Sequence, residues 1–150
     1  MKIKQLSLFL ENKPGHLSAI CQTLARAGIN IVTLSLADTQ QFGILRLIIR
    51  DWERAKELLE AKGFVVNITE VVATEVDDRP GGLSEVLKIL EQASTNIEYM
   101  YAFTFRRNNR AVLIFRLDDP DAAVKELQAK GINVLDSVGL FEENSGAKKR

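Results

Sequence analysis

The chain has 150 residues, of which 46% are hydrophobic and 27% are charged, a composition typical of a folded globular protein of one or two small domains. Twenty basic residues balance twenty acidic ones, so the sequence lacks the positive excess that favours nucleic acid or an anionic membrane as a partner. One cysteine and one histidine exclude an internal disulfide and a metal site built from these residues, and no cofactor is expected.

The first segment predicts a β-strand rather than a signal peptide. The apolar run in "MKIKQLSLFLENK" is short, is broken by Gln5 and Ser7, and lacks a cleavage site of small residues. Leu6, Leu8 and Leu10 alternate as in a strand with one buried face. We therefore expect a protein that stays in the cytoplasm.

The second segment predicts a helix that begins at "ENKPGHLS". Apolar residues recur there at three- and four-residue steps, namely Leu17, Ile20, Cys21, Leu24 and Ala27. Pro14, like Pro80 in the later turn, is expected in the first helical turn, where a missing N–H costs nothing. Asn12 and Asp78 are expected to cap exposed N–H groups there. Gly28 is expected to end the helix, and Cys21 is expected in the core.

Two strands, a helix and a further strand complete the first half of the chain. The strands are predicted at "INIVTLSLAD" and "FGILRLIIR", and the last one begins at "FVVNI". The helix is predicted from Asp51 to Lys62 and ends at Gly63, with Trp52 covering an end of the sheet. The order of elements is β-α-β-β-α-β.

The second half of the chain repeats this order, beginning with a strand at "EVVATEV" and a helix at "DDRPGGLS". At an offset of 66 residues eight identities occur: Pro14/Pro80, Gly15/Gly81, Leu17/Leu83, Ser18/Ser84, Leu24/Leu90, Ala27/Ala93, Asn30/Asn96 and Ile31/Ile97. After "FRRNNR" the offset is 68, which places a two-residue insertion in one hairpin. Strands are predicted at "NIEYMYAFTF", "AVLIFRL" and "INVLDSV", and a helix from Pro120 to Lys130, ending at Gly131. The chain is therefore two copies of one unit.

The repeated order predicts an α+β fold class with two ferredoxin-like βαββαβ units, each an antiparallel sheet with both helices on one face. We place the first domain at residues 1–68, the second at 69–141 and a flexible C-terminal tail at 142–150. The join "GFVVNITEVVATEVDD" contains no hinge of Pro, Gly or Ser after its first residue. The two sheets are therefore expected in a fixed relation, either edge to edge or with exchanged strands.

The Pro-Gly-x-Leu turn, followed about fifteen residues later by "GINI" or "TNIEYMY", resembles the ACT domain. The resemblance covers residues 2 to 141 as a tandem pair of such domains. It implies a regulatory module that binds a free amino acid where two domains meet and often controls an enzyme of amino-acid biosynthesis. Such an enzyme is the protein partner that the resemblance implies.

The turn itself has a chemistry that suits an amino acid. Glycine lets the backbone approach a ligand, and the first N–H groups of a helix are unpaired donors that attract a carboxylate. This attraction contributes roughly 0.3–1 kcal/mol when exposed and up to about 2 kcal/mol when partly buried, so further contacts are needed. Asn12 or Asp78 can accept from an ammonium group, Asn30 or Asn96 can supply amide hydrogen bonds, and an edge strand can supply main-chain groups.

The candidate ligand-binding residues lie in the two turns or in the segment after each first helix. They are Asn12, Pro14, Gly15, His16, Leu17, Asn30, Ile31, Asp78, Arg79, Pro80, Gly81, Gly82, Leu83, Asn96, Ile97, Tyr99 and Met100. Other interpretations remain open for some of them. Asn30 and Asn96 can cap turns, His16 can be an exposed first-turn residue, and the run Tyr99 to Tyr101 can face a ligand or a partner sheet.

Enzymatic and nucleic-acid functions are disfavoured by what the sequence lacks. One histidine gives no convincing Ser/His/Asp set, and no glycine-rich phosphate loop occurs. An acylphosphatase-like enzyme would use Arg79 and Asn96, but Lys13 replaces the arginine in the first copy. An RNA-binding module would need exposed aromatics on "GILRLIIR" and "AVLIFRL". We therefore expect a non-catalytic amino-acid sensor that forms a homodimer, with a structural dimerisation module as the alternative.

Overall fold

The computed structural model describes residues 1–39, 41–103 and 109–142, and it confirms the predicted α+β fold with βαββαβ order. In chain order the elements are β1 (Ile3–Glu11), α1 (His16–Arg26), β2 (Thr33–Thr39), β3 (Phe42–Ile48), α2 (Trp52–Ala61), β4 (Val66–Asp77), α3 (Gly82–Gln92), β5 (Ile97–Ala102), β6 (Arg110–Leu117), α4 (Pro120–Ala129), β7 (Val134–Leu135) and α5 (Ser137–Glu142). The chain forms two compact units: residues 4–69 are the first unit, and residues 1–3 with the chain from residue 70 are the second unit. The described helices cannot span a membrane, because none is long and apolar enough.

In the first unit β3 lies between β2 and β1 in the sheet. Strand β1 runs antiparallel to β3, with Leu8 opposite Leu45 and Leu6 opposite Leu47, so these four leucines share one face of the sheet. Both helices pack on this face, because their buried residues belong to the same core as the leucines. The core of the first unit comprises Leu6, Leu8, Leu10, Ile20, Leu24, Ile29, Leu45, Leu47, Ile49, Ala55, Leu59 and Val66.

The second unit repeats this arrangement. Strand β4 pairs antiparallel with β6 and with β7, and β5 pairs with β6. Val72 lies opposite Phe115 on the face that carries helices α3 and α4. The core of the second unit comprises Val72, Val76, Val86, Leu90, Leu113, Phe115, Leu117, Ala123, Leu127 and Val134.

The starts of helices α1 and α3 differ from the prediction. The residue before each helix is a left-handed glycine, Gly15 with φ 89° and Gly81 with φ 87°, so Pro14 and Pro80 precede the helix and do not lie in its first turn. The predicted side-chain caps are also wrong, because no cap hydrogen bond from a side chain is found at either start within the described residues. The left-handed glycine takes the position before each helix, and Asn12 and Asp78 do not cap the helical N–H groups as expected.

The ends of the helices were predicted more accurately than the starts of the strands. Gly28, Gly63 and Gly131 all have positive φ just after a helix, as predicted. Strand β2 begins at Thr33, four residues after Ile29, where the predicted segment "INIVTLSLAD" starts. Cys21 is only half-buried, because Ile20 and Leu24 take the core positions of α1.

The C-terminal segment of the second unit contains an element that the sequence did not predict. Helix α5 begins at Ser137, inside the segment "INVLDSV" that was predicted as a strand, and Leu140 is its buried residue. Asp136 accepts a hydrogen bond from the Gly139 N–H at 2.6 Å, which stabilises the start of this helix. Most of the predicted tail and most of the "FRRNNR" hairpin lie outside the described residues.

The second helix of each repeat allows a direct test of capping. The Asp119 carboxylate accepts from the Ala122 N–H at 3.0 Å at the start of α4, whereas Asp51 makes no such bond at the start of α2. We expect Asp119→Ala to lower the free energy of unfolding by about 1 kcal/mol, since the cap is lost. Asp51→Ala is the matched control with a smaller expected loss. Urea denaturation followed by circular dichroism measures both, and equal losses would contradict the assignment of the cap.

Candidate ligand-binding site

The two Pro-Gly turns have nearly the same backbone geometry. Gly15 has φ 89° and ψ −15°, and Gly81 has φ 87° and ψ −12°. The first helical N–H is used within each turn: His16 donates to the Lys13 carbonyl at 3.3 Å, and Gly82 donates to the Arg79 carbonyl at 3.0 Å. The next two amide groups have no acceptor within the part of the chain that the structure describes, namely those of Leu17 and Ser18 and of Leu83 and Ser84. Each turn therefore presents two N–H donors at the positive end of a helix.

The first turn carries an exposed ion pair. The Lys13 ammonium lies 2.6 Å from the Glu11 carboxylate. The hydrogen bond from Lys13, followed by its positive charge, lowers the pKa of the Glu11 carboxyl. Both side chains are exposed, so this pair contributes little to stability.

The second turn carries an arginine held by two carboxylates. Arg79 Nη2 donates to Glu85 at 2.7 Å, and Arg79 Nε lies 3.5 Å from Asp77. The hydrogen bond and charge of Glu85 are the main causes of a raised pKa for Arg79. Arg79 also donates to the Pro80 carbonyl at 3.2 Å, so the guanidinium folds back over its own turn.

A small cavity of about 100 Å³ lies beside the second turn, inside the second unit. Its polar wall comprises Glu75, Asp77, Gly82, Glu85, Arg110 and Asn133. Glycine is the only residue type that fits position 82 without a shift of the backbone, because a Cβ there would lie 2.0 Å from the Asp77 carbonyl oxygen. Glycine thus lets helix α3 begin directly against the end of strand β4.

Side chains from three separate elements are joined by hydrogen bonds and ion pairs along the polar wall of the cavity. The Glu75 side chain is 9% exposed, and its carboxylate accepts from Asn133 Nδ2 at 3.0 Å. Arg110 lies 3.6 Å from Glu75 and 3.4 Å from Asp77. The Glu75 N–H donates to the Asn133 carbonyl at 3.0 Å, which fixes the loop before β7 against β4.

Sequence reasoning missed Glu75, Arg110 and Asn133. A signal for them exists in the repeat: at the offsets that align the two halves, these residues replace Phe9, Phe42 and Val65. The register of the strands supports this alignment, because Asp77 lies opposite Arg110 as Glu11 lies opposite Phe42. A change from apolar to polar at three matched positions distinguishes the second unit from the first.

The predicted site residues occupy different surroundings. Of the residues predicted in the second turn, Gly82 lines the cavity. The Asn96 N–H donates to Asp118 at 2.9 Å, and its carbonyl accepts from the Asp118 N–H at 3.2 Å, so the Asn96 backbone holds a turn. Met100 lies opposite Phe115 and packs on the core, whereas Tyr99 lies opposite Arg116 on the other face of the sheet. In the first repeat, Asn12 donates its N–H to the Gln41 carbonyl at 3.1 Å.

No group of three or more His, Cys, Asp and Glu side chains in the described ranges is arranged to hold a metal ion. The polar wall of the cavity presents carboxylates, a guanidinium and an amide. These groups can pair with an ammonium and a carboxylate.

Comparison with known proteins identifies what the chain resembles. The family model described as an ACT domain pair matches residues 1–143. The crystal structure of protein BT0572 from Bacteroides thetaiotaomicron is 39% identical over 95% of this chain and 97% of that chain, with a TM-score of 0.88. A search of curated proteins returned no match.

The same fold occurs in two regulatory subunits at lower identity. The ligand-free regulatory subunit of aspartate kinase from Thermus thermophilus is 18% identical over 84% of this chain and 91% of that chain, with a TM-score of 0.62. The regulatory subunit of aspartate kinase from Thermus flavus is 16% identical over 84% and 90%, with a TM-score of 0.59. At this identity the likeness concerns the fold alone.

Proposed function

The chain belongs to the family of ACT domain pairs, and we propose that it is a non-catalytic regulatory protein that binds a free amino acid. In this proposal the bound amino acid controls an enzyme of amino-acid biosynthesis. Residues 1–68 and 69–141 form the two domains of each chain, and two chains form a homodimer. The observation that carries the proposal is the duplicated left-handed Pro-Gly turn with two unpaired amides behind it. The family is regulatory, and aspartate kinase regulatory subunits share its fold.

The chemistry of the turns fits a zwitterion. Two adjacent N–H groups at the positive end of a helix attract the ligand carboxylate, and neighbouring oxygen acceptors can take its ammonium group. Asp78 and Asn12 remain the proposed acceptors of the two turns, with Asn30 and Asn96 as proposed amide contacts. Several such contacts together correspond to dissociation constants of about micromolar to millimolar, a range suited to sensing a metabolite pool.

Thermal denaturation in the presence of each of the twenty amino acids tests the proposal. A ligand at 100 times its dissociation constant should stabilise the folded chain by about 2.7 kcal/mol, because it binds the native state alone. Sodium acetate and ammonium chloride at the same concentration control for ionic strength. If none of the twenty amino acids changes the midpoint temperature of unfolding, amino-acid sensing is refuted and a structural dimerisation module is favoured.

A glycine substitution tests the role of the second turn. Gly81→Val should abolish the response, since a β-branched side chain opposes the left-handed backbone that presents the amides. Gly63→Val is the matched control: Gly63 has φ 89° but lies at a helix end far along the sequence from either turn. Both changes should cost at least about 1–2 kcal/mol of stability. If Gly81→Val binds as the wild type does, the second turn is not part of the site.

A further inference from the structure

We propose that the cavity of the second unit is the amino-acid pocket of this chain, and that it selects a small amino acid through the ligand's ammonium group. This inference rests on the proposed function and narrows it in two ways. It assigns the ligand to the second repeat rather than to both, and it adds Glu75, Arg110 and Asn133 to the binding residues.

The comparison between the repeats shows that the fold does not require the polar wall. Phe9, Phe42 and Val65 occupy the matched positions in the first unit and are 61%, 49% and 71% exposed. The first unit has the same β-α-β-β-α-β order with these apolar residues in place. A buried carboxylate such as Glu75 is costly to desolvate and is often replaceable by apolar residues without loss of stability. Its presence in the second unit therefore indicates a role in binding.

The charges around the cavity favour an ammonium group. Among the described residues, three carboxylates line the cavity, those of Glu75, Asp77 and Glu85. Two guanidiniums offset them, because Arg110 lies in the wall and Arg79 pairs with Glu85 and Asp77, which leaves an excess of one negative charge. Opposite charges attract more strongly where water is partly excluded, as it is around the 9%-exposed Glu75. The innermost part of the pocket is therefore the position expected for the positive group of the ligand.

Arg110 is placed to pair with the ligand carboxylate in addition to the amides of the second turn. Its distances of 3.6 Å to Glu75 and 3.4 Å to Asp77 exceed the roughly 2.7–2.9 Å of a charge-assisted hydrogen bond. The Arg110 side chain is 49% exposed, so the guanidinium can turn toward a ligand carboxylate without leaving a buried position. Arginine binds carboxylates through two parallel hydrogen bonds, a geometry that lysine lacks.

The size of the cavity limits the ligand. The cavity has a volume of about 100 Å³. Glycine, alanine and serine are the smallest polar or apolar amino acids, and we expect the cavity to prefer them to amino acids with aromatic side chains. Val76, Val86 and Ile132 supply apolar wall for a methyl or methylene group.

Isothermal titration of the full chain with glycine, alanine and serine tests the inference. Glu75→Gln keeps the shape of the side chain and removes its charge, so it should weaken binding of the preferred amino acid at least about tenfold. Glu98→Gln is the matched control, because it also removes a carboxylate that pairs with an arginine of the second unit, Arg116 at 3.1 Å, but lies outside the cavity wall. The control should bind as the wild type does.

A second measurement uses the wild-type protein and so does not depend on the folding of a variant. The N-acetyl derivative of the preferred amino acid should not bind, because it lacks the ammonium group, and tryptophan should not bind, because of its size. Binding of the N-acetyl derivative, or equal affinity in Glu75→Gln and wild type, would overturn this pocket while leaving amino-acid sensing intact. Failure of all twenty amino acids to bind the wild type would overturn both.

Discussion

Phe115→Ala is expected to lower the free energy of unfolding by about 3–5 kcal/mol. Phe115 is fully buried in β6, opposite Val72 on one neighbouring strand and Met100 on the other. The substitution removes a ring that packs on the face of the sheet covered by α3 and α4. It leaves a cavity that the closely packed neighbouring side chains cannot fill. Urea denaturation monitored by far-ultraviolet circular dichroism measures the loss.

Phe42→Ala is the control for this substitution, because it deletes the same ring from a side chain that is 49% exposed. Because about half of the Phe42 side chain is already exposed, its removal should cost roughly 1 kcal/mol, less than the loss at Phe115. A loss for Phe115→Ala no larger than that for Phe42→Ala would contradict the assignment of the second core.

Gly82→Val is expected to destabilise the chain by about 3 kcal/mol, at the upper end of typical overpacking costs. The added Cβ would lie 2.0 Å from the Asp77 carbonyl oxygen, which is backbone and cannot rotate away as a side chain would. The start of α3 must therefore separate from the end of β4, which also changes the shape of the cavity. Thermal and urea denaturation together measure the cost.

Ser84→Val introduces the same side chain two residues later, at an exposed position of the same helix turn. Serine and valine have similar helix propensities, so this control should change stability by less than about 0.5 kcal/mol. His16 shows that the matched position of the first repeat accepts a side chain, and the turn hydrogen bond there is longer, 3.3 Å against 3.0 Å. A Gly82→Val variant as stable as Ser84→Val would show that the second turn can relax in the same way.

The sequence was sufficient to predict the order of elements and the core faces. Leu6, Leu8 and Leu10 alternate, and all three are buried, because side chains in a strand point to opposite faces at each step. Gly28, Gly63 and Gly131 end helices because glycine adopts positive φ without steric cost. The helix starts were harder to predict, since a Pro-Gly pair is compatible both with a helix that begins at the proline and with a left-handed glycine just before the helix.

The candidate pocket was only partly predictable. Gly82 belongs to a recognisable turn, but Glu75, Arg110 and Asn133 come from β4, β6 and the loop before β7. Hydrogen bonds and ion pairs of 3.0 to 3.6 Å join residues separated by as many as 58 positions. Charged residues scattered along a sequence do not show by themselves which of them will meet.

The sequence by itself determined that two copies of one unit are present, which family they belong to and which residues are apolar at strand and helix periods, because these are local and periodic properties. Only the tertiary structure decided that the second copy encloses a polar cavity where the first presents Phe9, Phe42 and Val65 to solvent. The physical reason is the register of the strands: antiparallel pairing and one tight helix start determine which distant side chains line the same cavity. Because these side chains are partly buried, their charges interact more strongly than they would in water.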